Sequence, residues 1–190
     1  MPRWKPDARE RFVVAALHLF TEQGYDETTV AEIADRAGLT KSTFFRHFSD
    51  KREVLAAGQE TLSRLLAEGI AAAPAEASPL SAVDAGLAHA ASTMTSFNRE
   101  LGPRLEAVIA TSSELQERAA LKRVGMAAAM ADALRDRGIE EAIAIMAAEL
   151  GVLAFKAGFE AWTAEANEQS LGQLTSAALH QLRSAVTQLS

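Results

Sequence analysis

The sequence predicts an all-α protein. Alanine and leucine recur at helical rather than alternating spacing, glycine and proline are sparse at 11 and 5 of 190 residues, and helix-starting and helix-ending residues punctuate the whole chain. With 48% hydrophobic content, this length supports one or two small domains with a real core. A division into residues 1–55 and 56–190 is expected, with the likeliest linker stretch at Ala71–Ser78 around Pro74.

The first helix is expected over Asp7–Gln23, where Phe12, Ala16, Leu19 and Phe20 form one stripe and Gly24 ends it. Thr29-Val30-Ala31-Glu32 is a capping box that opens a short second helix. Val30, Ile33, Ala34 and Ala37 form its apolar face, and Gly38 stops it. Thr40 then caps a third helix, Lys41–Phe48, with Phe44 and Phe48 inward and Lys41, Ser42, Arg46 and His47 outward. Asp50-x-x-Glu53 caps the fourth, where Lys51 lies near the positive end of the dipole and suggests an external anion. Further on, Pro79 and Pro103 fit first helical positions, giving helices over about Leu80–Phe97 and Pro103–Thr111. Ser113-x-x-Gln116 opens another that runs to Arg137, stopped by Gly138. Glu140–Ala164 and Glu168–Leu189 complete the set.

Net charge is −6, which argues against a nucleic-acid partner until its distribution is considered. Residues 1–55 hold about as many Lys/Arg as Asp/Glu, so the excess acid lies beyond them. Within this neutral head, Lys41, Arg46, Lys51 and Arg52 face only Asp50, and Arg3, Lys5, Arg9 and Arg11 add a basic arm. Two short helices joined by a glycine-containing turn, the second opening with small polar and basic residues, suit insertion into a DNA major groove. The same geometry also occurs as plain helical core.

The run Thr28-Thr29-Val30-Ala31-Glu32-Ile33-Ala34-Asp35-Arg36-Ala37-Gly38-Leu39-Thr40-Lys41-Ser42-Thr43-Phe44-Phe45-Arg46-His47-Phe48-Ser49-Asp50-Lys51 resembles the DNA-binding signature of the TetR family throughout. Ala15–Tyr25 also resembles that family's first helix and its exit, so the likeness covers about residues 9–55. The resemblance implies about nine helices: an N-terminal three-helix helix-turn-helix DNA-binding domain and a C-terminal helical domain that binds a ligand and dimerises. Its implied DNA contacts are Thr29, Thr40, Lys41, Ser42, Thr43, Phe45, Arg46, His47 and Lys51. Thr29, His47 and Lys51 are then phosphate contacts. Phe45 stands where the family commonly has tyrosine, so a sugar or thymine-methyl contact replaces a hydroxyl. The implied partners are double-stranded operator DNA, a second copy of the chain and a small-molecule effector. Repression is the direction the family suggests.

In the last helix Leu171, Leu174, Ala178, Leu182 and Ala185 form a stripe, and Gly151, Ala154 and Gly158 on the preceding helix permit close helix approach. Both patterns serve core or interface, and the resemblance favours a dimeric bundle. One recognition helix also reads too few base pairs alone, whereas a two-fold pair about 34–36 Å apart fits a palindrome. Met94, Phe97, Met126, Met130, Phe155, Phe159 and Trp162 are the candidate ligand-lining residues, implying a hydrophobic effector. Arg99, Arg104 and Arg123 are candidates for answering an acidic one.

Other classes find little support. There are no cysteines, so no disulfide framework or thiolate metal site. His18, His47, His89 and His180 stand apart, without the spacing of a zinc protease, a phosphate loop or a nucleophile elbow; no catalytic residue, metal or cofactor is expected. Met1–Lys5 leads into no apolar signal segment, and the longest apolar run, Ala142–Phe155, falls short of the roughly 20 residues a membrane span requires. A soluble cytoplasmic protein without a membrane partner is expected. The alternative function is a helical small-molecule carrier or sensor whose DNA-binding head no longer works.

Overall fold

A computed structural model of the chain describes residues 8–56 and 59–189. Arg3, Lys5 and the expected helix start at Asp7 lie outside the described residues. Among the described residues there are ten helices and no strand. They are α1 (Ala8–Gln23), α2 (Val30–Arg36), α3 (Lys41–His47), α4 (Lys51–Ala56), α5 (Gln59–Ala71), α6 (Pro79–Ser92), α7 (Ser96–Ala110), α8 (Ser113–Asp136), α9 (Glu141–Thr163) and α10 (Leu171–Thr187). The expected fourth helix corresponds to α4 and α5, on either side of residues 57–58.

These residues form two compact units, one drawn from 1–57 and 100–119, the other from 58–99 and 120–190. Residues 100–119 thus group with the head. The chain passes between units inside α7 and again inside α8.

In the first unit, α1 buries Phe12, Ala15, Ala16, Leu17, Leu19 and Phe20 along one side. The capping box forms as its spacing requires: the Glu32 amide donates to the Thr29 hydroxyl at 3.3 Å and the Thr29 amide to the Glu32 carboxylate at 2.8 Å. Phe48 caps the end of α3 and is not part of it.

The second unit has one continuous core: Leu66 and Ile70 of α5, Val83 and Leu87 of α6, Met126, Met130 and Leu134 of α8, Ala148 and Val152 of α9, and Leu179 of α10. Two crossings depend on missing side chains. A Cβ on Gly69 of α5 would lie 2.7 Å from the Gly86 Cα of α6, and one on Gly158 of α9 would lie 2.7 Å from the Thr175 amide nitrogen of α10. Arg137 donates to the carbonyls of Ile70 at 3.2 Å and Ala73 at 2.9 Å, and also to that of Pro74. It thereby satisfies acceptors that the end of α5 leaves open.

Several expected boundaries move. Pro79 does occupy the first turn of α6, behind its Ser78 cap, but α6 ends at Ser92 rather than Phe97. Pro103 lies inside α7. The Thr95 amide and hydroxyl both donate to the Asn98 carboxamide, at 2.9 and 3.1 Å, and start that helix seven residues before the proline. The Ser113–Gln116 box does not form; the Gln116 carboxamide donates to the Ala110 carbonyl at 3.1 Å. Likewise α10 begins at Leu171 because Ser170 and Gln173 make a capping box there. The apolar stretch in α9 also outlasts its expected length. The 23-residue α9 holds an 18-residue window of mean hydropathy 1.7, which meets the length and composition of a membrane span, with 44% of that window buried in the protein. Beyond Phe155, Lys156 and Glu160 pair at 3.6 Å along the helix.

Gly158→Ala is expected to lower the unfolding free energy by about 1–3 kcal/mol, because the added methyl overlaps backbone that cannot rotate away. Gly172→Ala, whose methyl would meet only the Ala91 Cβ at 3.8 Å, should leave the urea midpoint unchanged or raise it. Equal midpoints for the two variants would refute the close α9–α10 crossing.

Candidate nucleic-acid interface

The orientation of α3 follows from an aromatic contact. Phe44 and Phe48, both buried, meet Phe12 of α1 edge-on, with ring centroids 5.2 and 6.2 Å away. Edge-to-face aromatic packing adds about 0.5–1.5 kcal/mol per pair beyond burial. With Phe44 facing in, helical periodicity turns Lys41, Ser42, Phe45, Arg46 and His47 outward, and all five are exposed. Phe45 is 57% exposed, an unusual position for a phenyl ring. His47 stays close to the cluster, 6.2 Å from the Phe12 ring.

The turn into α3 is held from both sides. Gly38 has φ +64°, the left-handed conformation glycine adopts without steric cost. There the Leu39 amide reaches the Ala34 carbonyl at 2.9 Å. The Arg11 guanidinium, expected as part of a basic arm, instead donates to the carbonyls of Ala37 and Gly38. On the far side the Thr43 amide donates to the Thr40 hydroxyl at 3.1 Å, and the two hydroxyls lie 3.0 Å apart. Thr40 and Thr43 therefore hold the start of α3, and Thr43 is half-buried.

Two residues expected at phosphates make hydrogen bonds within the head. The Lys51 ammonium donates to the carbonyls of Tyr25, Asp26 and Thr28 at 2.6, 3.0 and 3.0 Å, which uses its three protons. It also lies 4.4 Å from the centre of the Tyr25 ring. The α4 amides of Arg52 and Glu53 donate to the Asp50 carboxylate at 2.8 and 2.9 Å. Lys51 and those amides therefore brace the head. Thr29 is equally engaged, its hydroxyl donating to Glu32 at 2.7 Å. These hydrogen bonds from the Thr29 side chain and backbone hold the Glu32 carboxyl below the usual range. The backbone amide of Ser49 does the same for Glu53.

The head's cations thus divide into two groups. Arg9 lies over the Phe48 ring, Arg36 pairs with Glu22, and Arg52 pairs with Asp50 and with Glu114 at 3.2 Å. Arg11 and Lys51 hold backbone carbonyls. Lys41 and Arg46 alone among the described Lys and Arg residues of 8–56 make no hydrogen bond, ion pair or ring contact. Nothing in sequence spacing distinguished them from Lys51, whose acceptors lie 23–26 residues away.

The candidate body residues also separate. Met126 and Met130 are core. Phe155 and Phe159 are half-buried and stacked at 5.9 Å, and Phe97 is half-buried on α7. Met94 and Trp162 line one cleft of about 320 Å³. Arg99 donates to the carbonyls of Ala164 at 3.2 Å and Asn167 at 2.7 Å, and Arg104 is exposed 3.4 Å from His18. Of the residues expected at a dimer surface, Gly151, Ala154 and Gly158 are buried against the chain's own helices. A Cβ on Gly151 would lie 2.7 Å from Val83. Leu171 is buried, Leu174, Ala178 and Leu182 are half-buried, and Ala185 is exposed. The large apolar side chains that α9 exposes are Ile145 and, each at least half exposed, Ile143, Met146 and Leu153.

A buried aromatic anchor, a glycine turn and an outward basic helix define a DNA-binding helix-turn-helix head on an otherwise helical chain. The sequence profile described as "Bacterial regulatory proteins, tetR family" matches residues 12–57. Through that head the chain is similar to the TetR family, and its helices follow the fold of solved structures described as TetR-family regulators. TcmR of Streptomyces glaucescens, an HTH-type transcriptional regulator, is 36% identical over 75 residues, covering 40% of this chain and 33% of TcmR. The match therefore spans about a third of that relative. SmeT of Stenotrophomonas maltophilia, solved with triclosan, superposes over 95% of this chain and 91% of its own, at 23% identity and a TM-score of 0.61. FadR of Bacillus subtilis, solved with stearoyl-CoA, does so over 90% and 96%, at 16% identity and a TM-score of 0.59.

Lys51→Met should destabilise the protein by about 1–3 kcal/mol by leaving carbonyls without their donor, read as a lower urea midpoint. In Thr29→Val the Glu32 carboxyl should titrate closer to an ordinary glutamate by NMR. The native bond lowers the folded-state value, so the stability it contributes is present at neutral pH and disappears as pH falls through the carboxylate range. An unmoved Glu32 titration would remove the capping role.

Proposed function

We propose that the chain is a ligand-responsive transcriptional regulator, acting as a repressor, that binds a palindromic operator as a homodimer through α3. The observation that carries this reading is the pair of uncommitted cations, Lys41 and Arg46, on the exposed side of a helix whose other side is fixed by Phe44 and Phe48. In the major groove, Lys41 and Arg46 read guanine edges or phosphates, and Phe45 meets a thymine methyl or a sugar. Ser42 lets the backbone approach, and His47 reaches a phosphate. Thr40 and Thr43 contribute through the helix start they hold. Residues 1–55 form the DNA-binding domain and 56–190 the effector and dimerisation domain of a cytoplasmic protein.

A second copy of the chain is needed because one α3 covers too few base pairs, and a two-fold pair about 34–36 Å apart addresses successive major grooves. The stripe Ile143, Met146 and Leu153 on the outer side of α9 is the surface this reading assigns to the partner. The effector reading draws on SmeT and FadR, solved with triclosan and stearoyl-CoA, and on the apolar cleft at Met94 and Trp162. Repression draws on SmeT, described as the repressor of a multidrug efflux pump. Effector binding changes operator affinity by favouring one of two arrangements of the dimer.

Selection of DNA from a random pool followed by mobility shift should yield a palindromic site. Lys41→Ala and Arg46→Ala should each cost about 1–3 kcal/mol of discrimination at that site, with a smaller loss on random DNA. Equal losses on both DNAs would exclude base reading, and no selective binding by the native protein would leave the carrier alternative. Leu153→Glu should convert the dimer to a folded monomer in analytical ultracentrifugation; a persistent dimer would exclude the α9 surface.

A further inference from the structure

Helix α7 has a break in its backbone hydrogen bonding at the point where the chain changes units. Pro103 lies inside the helix; it has no N–H to give the Arg99 carbonyl, and its ring crowds that same carbonyl. Gly102 precedes it. A residue before proline is pushed out of the helical region by the ring, a contact that is partly relieved where there is no Cβ. The missing bond spans Arg99–Pro103, and the boundary between the two units falls inside that span, between Arg99 and Glu100. The other crossing inside a helix, between Ala119 and Ala120 of α8, has neither proline nor glycine within four residues on either side.

Side chains hold α7 on both sides of the break. Before it, the Arg99 guanidinium donates to the carbonyls of Ala164 at 3.2 Å and Asn167 at 2.7 Å, in the turn that joins α9 to α10. Both partners belong to the second unit. After it, the Arg104 guanidinium lies 3.4 Å from the His18 ring nitrogen of α1, within the first unit. Each end of the segment is therefore attached to a different body, while Pro103 itself is exposed. Helices bend where their hydrogen bonds are interrupted, at proline above all, and hinges are short segments whose dihedrals absorb the motion of packed bodies.

We propose that Arg99–Pro103 is a hinge: α7 bends there, and the bend lets the two units reorient. The same segment is linked to the cleft. Asn167, held by Arg99, donates to the Trp162 carbonyl at 3.4 Å, and Trp162 lines the cleft. A molecule in the cleft thus acts on the turn that Arg99 holds. The proposal deepens the ligand-responsive reading by naming the moving part, and it rests on that reading only for its effect at DNA.

The chain has no cysteine, so Glu27→Cys in the first unit and Gln181→Cys in the second, both exposed, carry spin labels at these two positions alone. With the labelled full chain diluted in unlabelled chain, double electron–electron resonance reads the distance distribution within one chain. Pro103→Ala restores an N–H for the Arg99 carbonyl and removes no buried group. It should narrow the distribution to about half its native width or less, with helix content by circular dichroism unchanged or raised. Hydrogen exchange of the native chain gives a second reading that needs no variant: amides of 100–106 should exchange at least about tenfold faster than those of 120–126 in α8. In Pro103→Ala the two segments should exchange alike. An unchanged or broader distribution in folded Pro103→Ala, or equal exchange of the two native segments, would overturn the proposal. A narrowed distribution with unaltered operator affinity would uphold the hinge and count against its effect at DNA alone.

Discussion

The edge-on packing of Phe44 and Phe48 against Phe12 decides more about this protein than any other contact. A seven-residue helix has too few internal hydrogen bonds to hold its shape alone, so α3 depends on these rings for both its existence and its rotation. Every residue on the outer side of α3 inherits its direction from them. The helix start is then held by Thr40 and Thr43, and the turn by Gly38 with Arg11 across it. The recognition face is therefore a consequence of an apolar contact on the opposite side.

Electrostatics complete the selection. The head is close to neutral, yet its cations are not equivalent. Lys51 and Arg11 hold backbone carbonyls far away in sequence, Arg9 covers a ring, and Arg36 and Arg52 sit beside carboxylates. An ammonium bound to three carbonyls contributes to the fold. Lys41 and Arg46 remain uncommitted, on the surface that the aromatic anchor turns outward.

The second unit follows a different logic. Its helices approach closely wherever glycine removes a Cβ, at Gly69 with Gly86 and at Gly158 with Thr175, and its core is built from alanines, leucines and methionines. Packing of this kind buries the small-residue side of α9 and leaves Ile143, Met146 and Leu153 on the other. The same economy of side chains opens the cleft beside Trp162, where alanine and glycine stand around one indole. Arg99 and Arg137, rather than answering a ligand, close the ends of neighbouring helices.

The sequence by itself determined the helical class, the capping box at Thr29, the glycine turn, the outward face of α3 and the family that the head resembles. All of these rest on residues within a few positions of one another, where spacing translates directly into geometry. It misjudged Pro103, Ser113 and the start of α10, because competing caps at Asn98 and Ser170 lay within the same reach and only one can form. The partners of Lys51, Arg11, Arg99 and Arg137 were beyond it, since each bond joins residues more than twenty positions apart. Which side of α9 is core was also beyond it, because an apolar helix offers two suitable faces and only the neighbouring helices choose between them. Local periodicity made the elements; tertiary packing assigned the charges and chose the faces.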